Sequence, residues 1–71
     1  MEEINYKEQD RKAILSYLGI QQGDVEVEKV LSDSGADRLR VYTTLFELEL
    51  EGIIKVVRAN DLGTPEIVKL V

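Results

Sequence analysis

The chain has 71 residues and a formal net charge of −5, with 44% hydrophobic and 32% charged residues, a globular rather than disordered balance that allows one small core. It contains neither Cys nor His, which excludes disulfide staples, thiolate zinc sites and any Ser-His or Cys-His nucleophile system. No apolar run approaches the ~20 residues of a membrane helix and the N-terminus has no signal-peptide core, so a cytoplasmic setting without membrane contact is expected.

Met1–Lys7 is polar, with Ile4 and Tyr6 as isolated apolar positions, and is expected to be a loosely held lead-in. From Glu8 to Leu18, Ala13, Ile14, Tyr17 and Leu18 form a helical stripe, and Gly19 suits the residue after a helix end. Gln21-Gln22-Gly23 marks a turn, followed by a short strand at Asp24–Glu26. Val27, Val30 and Leu31 then repeat with helical spacing, which predicts a short second helix from Val27 to Asp33. Its N-terminus must use Asp24 or Glu26, and Glu is a poor cap although its charge suits the helix dipole. Ser34-Gly35 ends it and leaves Asp37 as the N-cap of the next element, a helix-turn-helix arrangement.

Asp37–Gly52, DRLRVYTTLFELELEG, can be read in two ways. Phe46 to Glu51 alternates apolar and acidic residues as a strand would, and Val41 to Thr44 are strand-favouring types. Val41, Leu45, Leu48 and Gly52, however, recur at helical spacing, with Gly52 as a stop signal. Length favours one helix over Asp37–Glu51, because strands typically run about five or six residues. After Gly52, Ile53 to Arg58 reads as a strand, Asn60-Asp61-Leu62-Gly63 as a turn, and Ile67 to Val71 as a strand pairing back. Pro65, lacking a backbone donor, belongs at a strand start or an edge. Three helices followed by a β-hairpin make an α+β, mainly α, winged helix. A single domain over 1–71 is expected: lead-in 1–7, helix-turn-helix core and first wing strand 8–58, wing tip and last strand 59–71.

Val25 to Leu31, Ser34-Gly35, Val41 and above all Leu45-Phe46-Glu47-Leu48-Glu49-Leu50-Glu51-Gly52-Ile53-Ile54 resemble the C-terminal winged-helix domain of the bacterial DNA-processing family DprA (Smf). The resemblance covers about Leu15 to Val57, and it implies that Leu45–Glu51 is helical. DprA proteins bind single-stranded DNA and load the recombinase RecA during natural transformation, work done by a Rossmann-like domain absent from this sequence. The resemblance therefore implies an accessory module that contacts double-stranded DNA or regulates the whole protein. Its shortness favours an excised domain or a stand-alone relative. Three departures weigh against DNA contact rather than against the fold. Ala36 stands where a larger aliphatic residue often follows the turn, Glu26 where Ser or Thr often caps helix 2, and the wing from Arg58 to Pro65 is longer than the family's short Gly-rich one.

No catalytic, cofactor or metal site is expected. Ser16, Ser32 and Ser34 have no base beside them in sequence, the glycines are scattered, and Glu47 with Glu51 is the only obvious carboxylate pair, read as a solvated acidic face. Two functions remain. The first is an interaction module contacting the remainder of a DprA-like protein, a copy of itself or a regulatory partner. The second is a double-stranded DNA-binding winged helix.

The DNA-contact candidates are Arg38 and Arg40 at the start of helix 3, with Lys55, Arg58 and Lys69 on the wing. Only in 53–71 do basic residues outnumber acidic ones, a weak footprint for nucleic acid. On a helical wheel Glu47 and Glu51 share the outward arc with Arg40 and Thr43, where they would oppose phosphates. Leu39, Tyr42, Phe46 and Leu50 form a second apolar arc, separate from the Val41, Thr44, Leu45 and Leu48 stripe, and are the protein-contact candidates. Leu39 and Leu50 lie farthest round. Tyr42 and Phe46 are more readily accommodated as core, and Asp37, Glu47 and Glu51 are expected as an acidic rim.

Overall fold

The computed structural model describes residues 5–71. Three helices and three strands follow one another as α1 (Tyr6–Gln21), β1 (Val25–Glu26), α2 (Val27–Asp33), α3 (Arg38–Leu50), β2 (Ile54–Ala59) and β3 (Pro65–Leu70). The strands form one antiparallel sheet in the order β1-β3-β2. Among the described residues no helix is long and apolar enough to cross a membrane.

The helix α1 is longer at both ends than its apolar stripe suggests. Asn5 caps it, its side chain accepting from the Glu8 backbone N–H at 3.1 Å, so Tyr6 and Lys7 belong to the helix and not to a lead-in. Residues 1–4, including Ile4, lie outside the described residues. Gly19 does not stop the helix. A glycine permits termination but does not impose it. The chain leaves the helix only where Gln22 and Gly23 take positive φ, at 51° and 86°, with the Gln22 N–H closing the last turn on the Leu18 carbonyl.

The expected bounds of α2 are those observed, and Glu26 makes no side-chain capping bond to it. Over Leu45–Leu50 the strand-like alternation is helical. Asp37 caps α3 through the Leu39 N–H at 2.8 Å. At the other end Gly52 (φ 77°) donates to the Glu49 carbonyl and Ile53 to that of Leu48, both at 3.0 Å. These paired bonds satisfy two otherwise open helix carbonyls and need a left-handed residue, which glycine supplies.

The β2–β3 connection is held by Asn60, whose side-chain oxygen accepts from the Leu62 and Thr64 N–H groups. Pro65 opens β3, where its missing donor costs nothing in the ladder. The register skips beside Val57, leaving an extra residue in β2. The core gathers Ile14 and Leu18 of α1, Val25, Val27 and Val30, Val41, Leu45 and Leu48 of α3, and Ile54 and Val68 of the sheet. Every element thus contributes to one core.

Candidate contact surface

The helix α3 presents four sides, and its neighbours define them. Val41, Thr44, Leu45 and Leu48 are buried against the core. The adjoining side meets α1 through three ion pairs. Lys7 Nζ lies 3.0 Å from Glu47 Oε1, Arg11 grips Glu51 with two bonds of 2.6 and 3.0 Å, and Arg40 Nε donates to Asp10 Oδ2 at 2.5 Å. This corrects the expected outward arc and acidic rim. Glu47 and Glu51 face α1, with their charge compensated there, and Asp37 is occupied as the cap and by Arg40 at 3.4 Å. The wheel shows which residues share a side, but not which side a neighbouring helix will cover.

Asp10 is the site residue that the sequence reading missed. It is only 3% exposed, while its partner Arg40 also lies over the Tyr6 ring, 4.9 Å from its centroid. The hydrogen bond from Arg40 holds the Asp10 carboxyl below its usual range, against the opposing effect of burial. One signal was available: Asp10 lies one helical turn before Ile14 and two before Leu18, an acid on the apolar stripe.

Away from the core, Leu39 (92% exposed), Thr43, Phe46 (46%) and Leu50 (88%) run along the outer side of α3. Tyr42 sits on the flank, half-buried and packed against the core. Phe46 is open to solvent, contrary to its expected place in the core. The geometric reason is that burial on α3 falls on the side carrying Val41, Thr44, Leu45 and Leu48, and Phe46 lies off that side. Arg38 and Glu49 are exposed on the Tyr42 flank.

The basic candidates do not converge. Arg40 is taken up by Asp10, Arg58 pairs with Glu66 at 3.3 Å, and Lys55 and Lys69 are directly opposite on β2 and β3. Arg38 lines a groove between α2 and α3 together with Glu28 and Lys29. The cleft of about 370 Å³ between α2 and the wing carries Glu26, Glu28 and Glu66 against Arg58, a balance unsuited to phosphate. Ser32 donates to the Glu28 carbonyl and Ser34 accepts from the Ala36 N–H, so both hydroxyls serve local backbone. Compared with family models, curated proteins and solved structures, the chain matches none.

Proposed function

We propose that this chain is a winged-helix module, non-catalytic and cytoplasmic, that acts through protein contact in a DprA-like DNA-processing protein. Support for the fold reading comes from the element order and from β1 pairing with β3 beside the β2–β3 hairpin, the arrangement that a short strand before a helix-turn-helix makes with a wing. The observation that carries the function is the outward side of α3. There, where a DNA-reading helix needs donors and positive charge, it presents Leu39, Phe46 and Leu50. Exposed apolar surface of this kind marks contact sites in small domains.

The test is a set of amide chemical-shift titrations of the chain: against itself, against the Rossmann-like portion of a DprA protein, and against duplex DNA. Shifts centred on Leu39, Phe46 and Leu50 in either protein titration are expected. Shifts confined to the DNA titration and centred on Arg38, Lys55 and Lys69 would replace this reading with the DNA-binding one.

A further inference from the structure

Leu39, Thr43, Phe46 and Leu50 recur at spacings of four, three and four, the seam of a two-stranded coiled coil over nearly two heptads. In α3 this seam lies opposite the buried Val41, Leu45 and Leu48 side. The ends of the helix are charged in opposite senses. Arg38 and Arg40 stand in its first turn and Glu47 and Glu49 in its last, with no acid in the first turn and no base in the last. That order is the reverse of what the helix dipole favours. Arg40 and Glu47 are compensated by α1, whereas Arg38 and Glu49 are exposed and, among the described residues, take part in no ion pair.

Resting on the protein-contact reading above, we infer that the partner of this surface is a second copy of the chain, with the two α3 helices antiparallel about a two-fold axis. In that arrangement Leu39 of each copy meets Leu50 of the other, and Thr43 meets Phe46 beside the axis. Arg38 and Glu49 share one flank of the helix, so the antiparallel pairing brings each Arg38 next to the other copy's Glu49, twice by symmetry. A parallel pairing would lay the Arg38 and Glu49 flank of one copy along the Arg40 and Glu47 flank of the other, like charge beside like charge at each end. The charge order that is unfavourable in one α3 thus becomes complementary in two, and this selects the second copy as occupant and fixes its direction. A 13-residue helix is about 20 Å long, and one such seam falls short of the roughly 1,200–2,000 Å² that stable interfaces bury. Association is therefore weak and visible at high concentration, and it strengthens where chains are held together by other contacts.

Sedimentation equilibrium from micromolar to millimolar chain tests this with charge swaps at exposed positions. The wild type is expected to show a rising average mass, and Arg38→Glu or Glu49→Arg alone to weaken association several-fold. Mixing the two single variants should restore it, because each then supplies the charge that the other lacks. The chain has no cysteine, so oxidising a mixture of Leu39→Cys and Leu50→Cys chains should give the mixed disulfide in preference to either symmetric one. A wild type that stays monomeric, a mixture that associates no better than its components, or a preference for the symmetric disulfides overturns the antiparallel pair. Leu39→Glu and Leu50→Glu separate that failure from failure of the underlying reading. If both fold normally while the wild type is monomeric, only the self-pairing is lost. If both unfold, the stripe is core and the protein-contact reading goes with it.

Discussion

At the scale of single residues, Asp10 is a buried charge through which α1 and α3 meet. A carboxylate on the apolar stripe of α1 is tolerable because Arg40 reaches it from α3 with a charge-assisted bond. Asp10→Asn keeps the shape and removes the charge, and is expected to cost on the order of 1–3 kcal/mol in a urea melt at neutral pH. The folded-state carboxyls of Asp10 and Glu51 are both held below their ordinary values, by Arg40 and Arg11 respectively. Groups depressed in this way add stability that is fully present above the unfolded carboxylate range of about 4, and is lost as pH falls through the folded values. Stability measured from neutral to strongly acidic pH should therefore fall below about pH 4, and Asp10→Asn should flatten that fall. An unchanged acid limb in the variant would show that the pair contributes nothing. Leu48, fully buried in the core, should lose on the order of 2–5 kcal/mol when cut to Ala. Gly52 at φ 77° should accept Asn with less loss of melting temperature than Val, since Asn tolerates the left-handed region and a β-branched residue does not.

At the scale of elements, α3 shows what the sequence could and could not reveal. Its length, the Asp37 cap and the Gly52 stop made the helix legible against the alternation of Phe46–Glu51, because end signals act locally. The same locality made α2 and the Asn60–Gly63 turn legible. The start of α1 was equally local and was missed, since Asn5 was available as a cap. Its end was misread at Gly19 because a glycine signals permission rather than termination. The sides of α3 were beyond reach. Whether Glu47 and Glu51 point to water or to Lys7 and Arg11 depends on where α1 packs, some forty residues away in sequence for Arg11 and Glu51. The exposure of Leu39 and Leu50 was legible because they lie opposite the core stripe, while that of Phe46 depended on where the neighbouring elements stop. Backbone chemical shifts are expected to show Leu45–Leu50 as continuous helix, and extended values there would remove the surface along with the element.

At the scale of the whole molecule, charge decides how the domain would meet a duplex. The net charge of −5 works against approach to phosphates, and local structure does little to offset it. Arg40 is turned inward to Asp10 and Arg58 is shared with Glu66. Lys55 and Lys69 form an isolated pair on the sheet, and Arg38 with Lys29 lies in a different groove beside Glu28. A protein that neutralises many phosphates shows affinity falling steeply with salt, whereas these scattered cations could engage only a few at once. Duplex binding by the domain alone is therefore expected to be no tighter than the roughly 10⁻⁴–10⁻⁶ M of non-specific association at physiological salt, with a shallow salt slope. Fluorescence anisotropy on a labelled duplex over a range of salt measures both. Arg38→Ala and Lys55→Ala are the informative variants, because neither side chain supports the fold, whereas Arg40→Ala would also strip the partner from buried Asp10. Nanomolar affinity that collapses in those two variants and falls steeply with salt would mean that the cations converge on DNA despite their separation. The wing and the start of α3, rather than the apolar outer side of the helix, would then be the working surface.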